Sequence, residues 1–139
     1  MFRMLDEDSP ISKEDLLQFE EFLGKNLPEA MKDFYLQYNG GQPKVRGVHD
    51  DYHLFPFNSF DSLEEIRKSL TWFDDEAVPA GFKATDLLHF AYDPGSGNYA
   101  LSLRAEDYGK VYFYVLEEKA ELYGQWPSFE DFLNSFVEE

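Results

Sequence analysis

Apolar residues return at helical spacing in four places along the chain. Leu16, Phe19 and Leu23 form the first stripe. It opens at Ser12, with Asp15 three residues on as a capping-box partner and Ile11 placed to staple onto Leu16, and Gly24 can stop it. The second stripe, Met31, Phe34, Tyr35 and Tyr38, starts from Pro28, a residue suited to the first helical position. Asn39-Gly40-Gly41 then supplies residues that tolerate positive φ, and the helix ends there. Asp61 and Ser62 both offer N-caps, each with a Glu three residues later, for a third helix through Leu63, Ile66 and Leu70. Ser128 caps a fourth, whose face carries Phe129, Phe132, Leu133 and Phe136.

Between these helices the pattern changes period. Leu87 to Tyr92, Tyr99 to Leu103 and Val111 to Leu116 read as strands, separated by the turn-rich Asp93-Pro94-Gly95-Ser96-Gly97-Asn98 and by Ala105 to Lys110, which makes an antiparallel meander. A positive φ at Gly97 is one expectation for the first of these turns. The segment from Gln42 to Phe57, broken by Pro43, Gly47 and Pro56, fits a strand or two with irregular connections. Residues 71–86 look like a loop. The expected fold is α+β, a mainly antiparallel sheet with helices packed around it, in one domain over residues 1–139; no repeat, low-complexity tract or linker divides the chain.

Composition supports a folded domain and narrows its partners. Aromatics are 18% of residues, and the 43% apolar share is ordinary for a globular protein, so disorder is not expected despite the charge. With no Cys, neither a disulfide framework nor a thiolate metal site can form, which suits a reducing compartment. The acidic start of the chain lacks a signal peptide's apolar stretch, and no apolar run approaches the ~18 residues a membrane helix needs, so the expected location is the cytoplasm, off the membrane. Twelve basic against 28 acidic residues give −16, which repels nucleic acid and anionic lipid. Only residues 25–50, at +1, escape the excess.

Motif-like patterns of chemistry fail in their context. His49-Asp50-Asp51-Tyr52-His53 imitates the helical zinc motif with two His at i and i+4, but Gly47 precedes it and Leu54-Phe55-Pro56 follows, so no helix aligns the imidazoles. Gly95-Ser96-Gly97-Asn98-Tyr99-Ala100 fits a dinucleotide-binding pattern, yet it leads into a strand where the pyrophosphate needs a helix N-terminus. His89, inside an apolar run, reads as a sheet residue with a satisfied ring. No phosphate loop or nucleophile elbow is present. The expectation is no catalytic residue, no metal site and no cofactor. Trp72 and Trp126 suit the core or its rim, with partner anchoring as the alternative.

Leu23-Gly24, Leu27-Pro28 and Tyr38-Asn39-Gly40-Gly41, then Phe90 through Tyr99, then Ser128-Phe129-Glu130-Asp131-Phe132-Leu133, stand in one order along nearly the whole chain. The set resembles the SUKH superfamily, which includes the fungal Smi/Knr cell-wall regulators and many bacterial immunity proteins. The resemblance implies an α+β fold, no enzymatic activity and, in bacteria, neutralisation of a toxin by binding it. A regulatory or scaffolding module binding endogenous proteins is the alternative. The candidate partner-contacting residues are Asn39, Gly40, Gly41, Asp93, Gly97 and Asn98, together with Trp72 and the acidic run Asp74, Asp75 and Glu76. The motif residues also carry a structural reading, as helix ends and turn formers.

Overall fold

The computed structural model describes residues 3–138. Its elements run β1 Met4–Leu5, α1 Lys13–Leu23, α2 Glu29–Gln37, β2 Gln42–Pro43, β3 Val45–His49, β4 Leu54–Phe55, β5 Ser59–Phe60, α3 Leu63–Ser69, β6 Leu87–Tyr92, β7 Gly97–Ser102, β8 Val111–Leu116, β9 Ala120–Trp126, α4 Phe129–Asn134 and β10 Phe136–Glu138. The fold is α+β, with every strand pair antiparallel.

The central sheet has five strands in the order β5-β6-β7-β8-β9, and a three-stranded sheet, β10-β3-β4, stands beside it. Leu88, Phe90, Tyr99, Leu101, Val111, Phe113 and Trp126 face the main core, where they meet Met31, Phe34 and Tyr35 of α2 and Phe129 and Phe132 of α4. Alternation sends Leu87, Ala100, Tyr112 and Tyr114 to the opposite face.

That second face is covered by the segment expected to be a plain loop. Residues 71–86 hold two single-turn 3₁₀ helices, Asp75–Ala77 and Ala84–Asp86, and lay Phe73, Val78 and Phe82 over the sheet. Arg104 pins the cover: its guanidinium lies 3.9 Å above the Phe82 ring, donates to the Gly81 carbonyl and pairs with Asp107. Asp107 also accepts from the Ser102 and Tyr112 hydroxyls, and this ring of donors holds its carboxyl well below the usual range.

Two further differences from the expected pattern concern the C-terminal quarter. A fourth meander strand, β9, pairs with β8, and a bulge beside Gly124 interrupts the alternation that would have announced it. Phe136 does not extend the last helix. The chain leaves α4 after Asn134, the Ser135 hydroxyl bonds back to the Phe132 carbonyl, and Phe136 opens β10 opposite Val48. The Gln42 to Phe57 stretch holds three short strands, more than the one or two expected.

Candidate functional site

The helix caps decide what is left exposed around α3. Ser62 is the cap in use: its hydroxyl accepts from the Glu65 N–H, and Glu65 Oε1 accepts from the Ser62 N–H at 2.9 Å. The neighbouring Asp61, which the sequence offered equally as a cap, therefore has no capping role. Its backbone is engaged, with its N–H bonded to Phe90 and its carbonyl to the Tyr35 hydroxyl, while its carboxylate has no hydrogen bond or ion pair among the described residues.

That carboxylate opens into a groove of about 520 Å³ across the second face of the sheet. Asp61, Glu65 and Ser69 of the α3 region form one lip, Trp72 and Phe73 of the cover another, and Tyr92 with the Gly95–Asn98 turn a third. His89 lies within it. Trp72 is 72% exposed and Tyr92 39%, so two large rings stand at the rim. Burial and the nearby Glu65 push the Asp61 carboxyl up to about 7. His89 is 6% exposed, stacks on Phe73 at 3.7 Å between ring centres, and has Nε2 2.7 Å from the Tyr114 hydroxyl; burial lowers its pKa to about 3, so it stays neutral.

Of the residues singled out by sequence pattern, the groove gathers Trp72, Gly97 and Asn98. Asp93 stands directly behind the turn, buried, with Oδ1 accepting from the N–H groups of Gly95 and Gly97, both at 2.8 Å. Asn39, Gly40 and Gly41 lie elsewhere, at the joint between α2 and α3. Asn39 is buried there, donating to the Ser9 carbonyl and accepting from the Leu63 N–H. Gly40 has φ 81°, and a Cβ on it would meet the Ser62 backbone nitrogen at 2.7 Å. The acidic run serves the cover: Asp74 Oδ1 accepts from the N–H groups of Glu76 and Ala77, and Asp75 from that of Ala84, while Glu76 is exposed. Trp126 is buried in the main core with its indole N–H on the His49 carbonyl.

The His49 to His53 segment is a turn between β3 and β4, tied by Asp50 Oδ1, which accepts from the N–H groups of Tyr52 and His53. Among the described residues no three His, Asp or Glu side chains are grouped as a metal site would need. No helix among them is long and apolar enough to cross a membrane.

Asp61, Glu65 and Tyr92 are groove residues that sequence pattern did not single out. The one signal was the doubled cap: two adjacent residues cannot both serve one helix start, so one carboxylate or hydroxyl had to be left over. This leftover has a measurable cost. In the unfolded chain Asp61 titrates near 3.8 and in the folded protein near 7, so the folded state binds the proton more tightly. Its contribution is full below the unfolded value and is lost as pH rises through the folded one. Asp61→Asn is therefore expected to gain on the order of 1 kcal/mol at pH 8 and close to nothing at pH 4, by urea denaturation at both. A variant no more stable than the parent at pH 8 would show the carboxylate to be fully solvated.

The family model described as SMI1 / KNR4 family (SUKH-1) matches residues 10–135. Comparison with curated proteins gives no match.

Proposed function

The chain belongs to the SMI1 / KNR4 family (SUKH-1), and from that premise we propose that it is a non-enzymatic, cofactor-free protein-binding domain of the cytoplasm, an immunity protein that neutralises a toxin domain by binding it. The observation that carries the binding role is the groove on the second sheet face, which the exposed Trp72 lines together with Tyr92, Asp61 and Glu65. Large rings at a concave rim are the side chains that anchor protein interfaces, because they bury much area at little cost in side-chain entropy. The net charge of −16 points to a basic partner. A nuclease fits, since its own site must attract phosphates and an acidic surface can occupy that site in their place. The same charge disfavours direct contact with nucleic acid or anionic membrane.

Expression of the C-terminal domain of a toxin encoded beside this gene should arrest growth, and co-expression of this chain should restore it. Arrest that persists although the chain is folded and abundant would overturn the immunity reading. A setting among housekeeping genes, with endogenous proteins as stoichiometric partners, would favour the regulatory role instead.

A further inference from the structure

The groove is short of one thing its walls call for. Asp61 and Glu65 both line it, and among the described residues none of its lining is Lys or Arg. The cations nearest along α3 are committed to other sides of the helix: Arg67 lies 4.1 Å over the Phe22 ring, and Lys68 pairs with Glu64 at 3.5 Å. Glu65 has one oxygen on the Ser62 N–H, and the Asp61 carboxylate, unlike its backbone, has no hydrogen bond or ion pair among the described residues. Trp72 and Tyr92 offer aromatic surface at the rim of the same groove.

Taking the protein-binding reading as its basis, we propose that this groove is a socket for an arginine side chain of the partner, its guanidinium held by Asp61 and Glu65 and flanked by Trp72 and Tyr92. The chemistry selects arginine over lysine. A guanidinium is planar, so it can lie on an aromatic face, and it carries a fork of donors that two oxygens can accept together. It is also weakly hydrated, which lowers the cost of leaving water for a partly buried site. Among the described residues, the charged and titratable groups around Asp61 are Glu65 of α3, Tyr35 from α2, and His89 and Tyr92 from β6. Glu65 opposes ionisation of Asp61 by repulsion, and His89 stays neutral, so none of these supplies a positive charge at neutral pH. An arriving cation would make the ionised form favourable by offsetting that burial and repulsion.

The test uses the full chain and acetyl-Gly-Gly-Arg-Gly-Gly-amide, with the Lys and norleucine versions as controls. Binding is followed through the Trp72 indole N–H and the Ser96, Gly97 and Asn98 amides by NMR, and through the titration of the Asp61 carboxyl carbon. The arginine peptide should give saturable shifts at those signals and lower the Asp61 midpoint by about one unit. It should bind more tightly than the lysine peptide, with norleucine silent, and weaken at least about fivefold in the Asp61→Asn, Glu65→Gln double variant. Shifts that do not saturate, or that persist in the double variant, overturn the socket. A cognate partner whose affinity survives Asp61→Asn, Glu65→Gln and Trp72→Ala together would overturn the socket and leave the protein-binding reading intact. A bound arginine peptide alongside failed growth rescue would support the socket and remove the immunity reading.

Discussion

Replacing Gly97 with valine is expected to destabilise the protein by about 3 kcal/mol or more, a large share of the ~5–15 kcal/mol that holds a domain of ordinary stability together. Gly97 does not sit at positive φ, so the turn-based expectation for it is corrected: Gly24, Gly40, Gly41, Gly81 and Gly109 are the glycines in that region. What Gly97 provides is closeness. A Cβ there would fall 2.5 Å from the Phe113 ring and closer still to the Asp93 carboxylate. Phe113 belongs to the main core, and Asp93 is fixed by the two N–H groups it caps, so neither can withdraw cheaply. Gly95, two residues earlier in the same turn, is the control, because its Cβ would make an ordinary 3.7 Å contact with Asp93 and Gly95→Ala should change stability by less than about 0.5 kcal/mol. Equilibrium urea unfolding of both variants checks the pair. Partner binding should fall only as far as folding does, and a stably folded Gly97→Val protein that had lost its partner would make the turn a contact surface.

The elements that carry their own signals were legible in the sequence. Ser12 with Asp15 and Ser62 with Glu65 form full capping boxes, Gly24 closes α1 at φ 78°, and the strand runs beginning at Leu87 and Val111 match β6 and β8 in extent. What was not legible depends on tertiary contact. The strand β9 has a bulge beside Gly124, where a Cβ would strike the Phe55 ring, so its residues lack the clean period of two. Phe136 continues a helical stripe on paper, but pairing with Val48 in β3 draws it into a strand. Residues 71–86 read as a loop because their apolar members follow no period; their partners are Arg104 and the back of the sheet. The groove was half visible. Trp72 and the Asp93–Asn98 turn were marked, while Asp61 and Glu65 join them only once α3 packs beside β6 and the cover closes over the sheet.

Association with a basic partner is expected to slow at least about tenfold when salt rises from about 0.05 to 0.5 M, with a smaller change in dissociation. The charge of −16 is spread over most of the chain and acts at a distance, so it lifts encounter above the usual ~10⁵–10⁶ M⁻¹s⁻¹ and fades as the Debye length shortens. Dissociation depends on desolvated contacts, of which Trp72 is the natural anchor, and salt reaches those poorly. The structure also decides how the charge should be probed. Neutralising Asp74, Asp75 and Glu76 together would remove the caps that shape the cover, since the two aspartates accept three backbone N–H bonds between them. Glu76→Gln with Glu117→Gln and Glu118→Gln is the cleaner set: all three are exposed, and Leu116, just before the last two, lines the groove. That triple variant should fold like the parent, associate more slowly and depend less on salt, as stopped flow against the confirmed partner would record. Association indifferent to salt would leave the charge a role in solubility alone and would weigh against a basic toxin, because two surfaces of opposite sign cannot approach in water without feeling the ions between them.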